Sequence, residues 1–227
     1  QVLPYLTSLD NDREIHIISC EKASEFCKYQ SDIRKIISTK KIVWHPLVYH
    51  KNPPIISTIW DLWKMQRLAS NLIKKKPFDL VHCRSHLTGI IGKNLKNKFG
   101  IHFLFDMRSF FPDERVDGNL WPQSKFIYRL IYKYFKDQEI KMFHLADHIV
   151  VLTNAAKAIL SKNFDATKIS VIPCCADFNH FNFKAISKKE IEIARSDLKL
   201  RQGSFVLSYL GSIGTWYKLN EMLAFFQ

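Results

Sequence analysis

The chain has 227 residues, 47% of them apolar and 24% charged, with 17 Phe, 8 Tyr and 5 Trp; this supports a packed core and excludes disorder and fibre. Lys and Arg total 34 against 21 Asp and Glu, a net charge of +13 that favours an anionic partner (nucleic acid, anionic lipid or a phosphorylated substrate) and leaves the fold open. Seven Gly are too few for low complexity, and no apolar run reaches the roughly 18–20 residues that cross a bilayer. The basic residues are dispersed, Lys74-Lys75-Lys76 being the only triple. Cys20, Cys27, Cys83, Cys174 and Cys175 are odd in number and include no C-x-x-C, so reduced, mostly buried thiols are expected rather than a disulfide framework. The nine His lack metal-ligand spacing, and no metal or cofactor is expected. The chain starts at Gln1 and stops at Gln227 within a helix-like run, so both ends read as interior to a longer protein.

Taken in order, strand-like runs alternate with helix-like ones, the pattern of βαβ units and a parallel sheet. A short amphipathic helix over 2–9 ends at Asp10-Asn11-Asp12. Strands are predicted at 14–20, 41–47, 79–85, 101–105, 148–153 and 168–173. Helices are predicted at 24–38, 57–75, 87–99, 123–145 and 155–162. In the 57–75 helix, Ile59, Trp60, Trp63, Met65, Leu68, Leu72 and Ile73 recur at helical spacing; Pro77 stops that helix and Gly100 caps the 87–99 one. Residues 106–122 read as irregular, and Asn154 as the cap of the 155–162 helix. Beyond Asp177 the texture becomes polar, with a helix over 187–200, a buried strand over 204–210 and a helix starting near Leu219. The domain boundary falls between about 184 and 203.

In open α/β sheets ligands bind beyond the carboxyl ends of the strands. The polar residues there are His82, Arg84, Ser85 and His86 after one strand, and Asp106, Arg108, Asp113, Glu114 and Arg115 after the next; Thr153, Asn154 and Asp177 follow later ones. Asp106-Met107-Arg108-Ser109-Phe110-Phe111-Pro112-Asp113-Glu114 interleaves charge with aromatics in a long loop and is the strongest site candidate. Gly211-Ser212-Ile213-Gly214, between a strand and a helix, has the small residues that let backbone N–H groups approach a phosphate, or simply form a tight turn. Lys125, Arg129, Lys133 and Lys136 make one basic stripe beside Phe126, Ile127, Leu130, Ile131, Tyr134 and Phe135. That pattern suits a core helix with a solvated basic face, or a helix lying on an anionic membrane.

Three stretches together resemble the retaining glycosyltransferases of family 4 (group 1), which have the GT-B fold. Asp79-Leu80-Val81-His82 is similar to the family's D-V-V-H strand, and Ala146-Asp147-His148-Ile149-Val150-Val151-Leu152-Thr153 to its A-D-x-I-I-x-x-S/T strand. Lys168-Ile169-Ser170-Val171-Ile172-Pro173, continuing through Cys174-Cys175-Ala176-Asp177 to Phe181, is similar to the K-I-x-V-I-P-N-G-V-D segment that closes the N-terminal domain. The resemblance implies an α/β fold with a Rossmann-like parallel sheet flanked by helices and a truncated second Rossmann-like domain. Residues 1–183 would be the acceptor-binding domain without its first strand, 184–202 the linker, and 203–227 the start of the nucleotide-sugar domain.

It further implies transfer of a sugar from a nucleotide-sugar donor to a glycan or lipid-linked acceptor, with retention and without a metal. The piece would be inactive alone, and the protein would be cytoplasmic, at the inner face of the membrane if it contacts an anionic bilayer. Asp106 and Arg108 take the place of the His the family often carries, and are assigned as catalytic. His82, Arg84, Ser85, Asp113, Glu114 and Asp177 are assigned to substrate. Gly211, Ser212 (in place of the family's Arg) and Lys218 (near the place of its Lys) are assigned to the donor diphosphate. A nucleotide-sugar epimerase of the same fold, or a non-enzymatic basic module on anionic membrane, are the alternatives. Nucleic acid is not expected as a partner, because basic strands rich in aromatics are lacking.

Overall fold

The computed structural model describes residues 2–9, 13–178, 181–213 and 217–226. The Asp10-Asn11-Asp12 turn and Gly214 lie outside them. The order is α1 (Leu3–Ser8), β1 (Ile15–Glu21), α2 (Ala23–Ile37), β2 (Ile42–Val48), α3 (Ile56–Lys75), β3 (Leu80–Arg84), α4 (His86–Phe99), β4 (His102–Asp106), α5 (Phe111–Asp117), α6 (Phe126–Leu145), β5 (His148–Val151), α7 (Asn154–Leu160), β6 (Ile169–Val171), α8 (Lys188–Asp197) and α9 (Leu219–Phe226).

β3, β4, β5 and β6 form a four-stranded parallel sheet in chain order, and β1 and β2 a parallel pair beside it. Parallel neighbours need crossovers, and helices supply them; α3, α4 and α6 pack side by side as a layer. Side chains join the pair to the connection that leads into β3: Lys76 pairs with Glu14, and the His16 ring stands edge-on to Phe78 at 4.9 Å. The expected α/β architecture is therefore present, with its strands divided into a pair and a sheet of four.

Strand alternation sends Phe103 and Phe105 into the core with Met142, Phe143, Ile149, Val151, Leu160 and Ile169. Gly89 and Gly92 let α4 approach these rings: a Cβ on Gly92 would lie 2.4 Å from Phe103, and one on Gly89 would lie 2.5 Å from the Met142 sulfur. Gly100 caps α4 in the left-handed conformation, φ 71°, as its position predicts. Asp147, from the A-D-H-I motif, is a structural tie. Its carboxylate accepts the Phe103 N–H at 2.7 Å and Lys96 Nζ at 2.6 Å, joining the end of α4 to the entrances of β4 and β5. Burial takes the Cys83 thiol up to about 12, so it stays an inert core group.

Four expectations are corrected. The stretch read as irregular after β4 contains α5, with Pro112 in its first turn followed by Asp113 and Glu114, all suited to a helix N-terminus. Thr153, rather than Asn154, caps α7, accepting the Ala156 N–H at 3.1 Å. The thiols are not mostly buried: Cys83 is in the core, Cys20 is half-buried, and Cys27, Cys174 and Cys175 are exposed, because they lie on a solvent-facing helix face or in the open segment after β6. The strand expected at 204–210 does not form: these residues are exposed, and no other strand among the described residues lies beside them to complete a ladder. α8, by contrast, forms on local signals, with Ser187 and Glu190 closing a capping box.

Where β1 meets β2, His16 Nδ1 and His45 Nε2 share a hydrogen bond at 3.0 Å. Burial, and secondarily His16, hold the His45 imidazole below its ordinary 6.5. The unfolded chain then takes up the His45 proton more readily than the folded one. The contribution to stability is complete above about pH 6.5 and is lost as pH falls below it. Urea titrations between about pH 7 and 5 should show wild type losing more stability than His45→Gln; parallel losses would contradict this.

Candidate functional site

The β3–β4 register sets Arg84 opposite Asp106 at the carboxyl ends of both strands. The two-residue period puts His82 on the same face as Arg84. The Asp106 carboxylate, 10% exposed, has Oδ2 at 3.7 Å from His82 Nε2 and 3.9 Å from Arg84 Nε, while Oδ1 lies 3.6 Å from Arg108 Nη1. Three basic groups thus surround the carboxylate at ion-pair distances longer than a hydrogen bond. Asp106 Oδ1 is buried and accepts no hydrogen bond among the described residues. Leaving a buried acceptor unused costs about 1–3 kcal/mol.

The backbone holds this cluster tightly. Ser85 sits at φ 82° between β3 and α4, and its N–H donates to the Asp106 carbonyl at 2.9 Å. A Ser held at positive φ stores strain of the kind found at functional sites. Arg108 Nη2 donates to Cys174 Sγ at 3.3 Å, drawing the segment after β6 toward β4. Tyr5 of α1 lies within electrostatic reach of Arg84, Asp106 and Arg108; burial raises its phenol above the usual value and Asp106 adds to the rise, against the two arginines.

Behind the cluster runs a polar chain that is buried at His86 and Glu139 and half-buried at Lys136, Asp113 and Tyr132. His86, 1% exposed, shares a 2.6 Å hydrogen bond with Glu139 of α6, and Lys136 Nζ donates to Glu139 at 2.5 Å and to Asp113 at 3.0 Å. The Tyr132 hydroxyl also donates to Asp113 at 2.8 Å, and the His86 ring stacks on Phe111 at 5.6 Å. α4, α5 and α6 are thereby locked together next to Asp106.

The structure gathers Asp106, Arg108, His82, Arg84 and Ser85 at one sheet edge. Asp113 belongs to the α5–α6 clamp. Glu114 is exposed on α5. Asp177 lies in an exposed segment three residues beyond Cys174. Gly211, Ser212 and Lys218 are exposed in the stretch before α9, with the Tyr209 hydroxyl donating to the Ser212 carbonyl at 2.7 Å. A surface cavity of about 420 Å³, lined in part by Phe78, Asp79, Ile101 and His102, lies at the opposite edge of the sheet, away from this chemistry. Glu139 and Tyr132 are not singled out by the sequence, and Lys136 reads there only as part of a basic stripe. The signal for Glu139 was there: a carboxylate on the α6 stripe that also carries Phe135, Met142 and Phe143.

A helix-flanked parallel α/β unit with a charged cluster at its strand ends is Rossmann-like, and in such folds ligands bind at those ends. Residues 10–180 match the model of Glycosyltransferase Family 4, and the chain belongs to that family. Over 170 residues it is 29% identical to the Escherichia coli UDP-Gal:alpha-D-GlcNAc-diphosphoundecaprenol alpha-1,3-galactosyltransferase, a match spanning 74% of this chain and 40% of that protein. The chain thus spans about two-fifths of the length of that relative. Two solved structures share 11% identity with it. Anabaena Alr3699/HepE in complex with UDP and glucose matches 82% of this chain and 50% of its own at a TM-score of 0.46. Arabidopsis thaliana UGT89C1 complexed with UDP-L-rhamnose matches 78% and 48% at 0.49.

Proposed function

We propose that this chain is the acceptor-binding part of a retaining, metal-independent glycosyltransferase that moves a sugar from a nucleotide-sugar to a lipid-linked or glycan acceptor. Residues 1–183 would form the acceptor domain, 184–202 the linker and 203–227 the start of the donor domain. The observation that carries the reading is the unused Asp106 Oδ1, buried among His82, Arg84 and Arg108. An acceptor hydroxyl donating to Oδ1 would be oriented for attack, and Arg84 and Arg108 would face the phosphates of a diphospholipid acceptor. The E. coli relative, by its name, acts on such an acceptor. Attack on the same face as the departing diphosphate would give retention. Gly211, Ser212 and Lys218 would approach that diphosphate, whose charge basic side chains and helix N-termini would neutralise. The work would be done at the cytoplasmic face of an anionic membrane. Family membership favours this over the epimerase and the non-enzymatic module.

In the full-length protein, Asp106→Asn keeps the shape and removes the charge; kcat/KM for transfer should fall about 100-fold. Residues 1–227 alone should bind acceptor and transfer nothing. Unchanged kcat/KM in Asp106→Asn would remove Asp106 from the site, and no transfer from any nucleotide-sugar to any acceptor would overturn the assignment.

A further inference from the structure

α6 has 20 residues, about 30 Å at 1.5 Å each, whereas β4 and β5 have five and four, about 17 Å at most. The helix ends just before β5 begins, so the excess length lies at its N-terminus, on the sheet edge that carries Asp106. Its buried residues, Gln138, Glu139, Met142 and Phe143, are all in the C-terminal half. The N-terminal half instead exposes Phe126 (67%), Ile127 (53%), Leu130 (47%) and Tyr134 (51%) on one side. Exposed Lys125, Arg129 and Lys133 run along the flank of that stripe, with the Arg129 guanidinium 5.8 Å from the Phe126 ring. No Asp or Glu occurs between residues 120 and 136.

α3 has the same length and lies in the same helix layer, on the far side of α4. Its N-terminal half exposes Ile56, Ile59, Trp60 and Trp63, the two indoles stacked at 5.1 Å. Lys64 lies 5.1 Å from the Trp60 ring and Arg67 5.4 Å from the Trp63 ring. The acidic residue of this stretch, Asp61, is buried and held by His50 at 2.6 Å. The N-terminal halves of the two helices thus carry the same combination near the same edge: exposed aromatic and aliphatic side chains, flanking cations and no exposed carboxylate, the exposed Asp137 of α6 lying beyond that half.

We infer that the N-terminal halves of α3 and α6 form a docking surface for an anionic bilayer. Apolar side chains would enter the headgroup boundary, with Trp and Tyr at its level, while Lys125, Arg129, Lys133, Lys64 and Arg67 would meet lipid phosphates. A protein partner would need carboxylates to match these cations as well as an apolar groove, whereas an anionic bilayer offers both properties everywhere on its surface. The inference deepens the lipid-linked acceptor reading, since docking in this way would bring the Asp106 edge to the membrane.

The test is sedimentation with vesicles of phosphatidylcholine alone or with about one-third phosphatidylglycerol, at low and high salt. Binding should require phosphatidylglycerol and weaken with salt. Arg129→Gln with Lys133→Gln should weaken it about 25-fold, each cation near the surface being worth about fivefold. Phe126→Ser with Ile127→Ser, and Trp60→Ser with Trp63→Ser, should each weaken it further; these exposed sites leave the core intact. Lys188→Gln with Lys189→Gln, on exposed α8, should leave binding unchanged. Binding without phosphatidylglycerol dependence, no binding, equal loss in the α8 variant, or self-association abolished by the α6 variants would each overturn the inference. The assay contains no sugar donor, so its failure leaves the transferase reading standing. Absent transfer with vesicle binding intact would overturn only the transferase reading.

Discussion

Glu139→Ala should destabilise the protein by about 3–5 kcal/mol, the range for removing one partner of a buried polar pair. Glu139 and His86 are 2% and 1% exposed, so water cannot replace the lost bond. Lys136 would keep Asp113 at 3.0 Å, and the cost therefore falls on His86. Glu139→Gln preserves the shape and one acceptor, and should cost about 1–2 kcal/mol. Urea denaturation of the three proteins measures this directly. A Glu139→Ala variant within about 0.5 kcal/mol of wild type would show that the His86 chain does not hold α4 and α6 together. The effect should also reach the site, because His86 follows the strained Ser85 and stacks on Phe111 of α5.

Phe103→Ala should cost about 3–5 kcal/mol, as expected where a fully buried aromatic leaves a cavity that rigid neighbours cannot fill. Its neighbour Gly92 gives a sharper test. Ala normally improves a helix interior by about 1 kcal/mol over Gly. At Gly92 the added Cβ would lie 2.4 Å from the Phe103 ring and 2.7 Å from Cys83 Sγ. The clash should outweigh the helix gain, giving a net loss of about 1–3 kcal/mol. In a Phe103→Leu background the same Gly92→Ala change should cost less, because the ring it strikes is gone and only the Cys83 Sγ contact remains. Additive losses in this double-mutant cycle would contradict the packing account.

Much of the architecture was legible in local patterns. The helical period of 123–145, the apolar strands and the stop signals Pro77 and Gly100 depend only on neighbouring residues, and the structure follows them within a few positions. The strand at 204–210 reads equally well, yet forms no ladder, because a parallel strand needs partners that local sequence cannot supply. α3 and α6 show a second limit: periodicity revealed amphipathic helices but not which apolar positions a neighbour covers. Trp60, Trp63, Phe126 and Leu130 fit the helical period of their helices, and the structure leaves them exposed.

For the candidate site, the strand-end rule brought out His82, Arg84, Asp106 and Arg108 from their positions in the chain. Asp113 sits in the same charged loop and reads no differently, yet its carboxylate is taken by Tyr132 and Lys136 of α6. The sequence by itself determined the parallel α/β class, the order of β1 to β6 and the helices between them apart from α5, and the family, since these rest on periodicity, turn chemistry and contiguous motifs. Only the tertiary structure decided that Asp106 has an unused oxygen, that Glu139 serves His86 across 53 positions of chain, and which faces of α3 and α6 remain uncovered. Each of these is a distance between residues far apart in sequence, and such distances are set by how the helices close over the sheet.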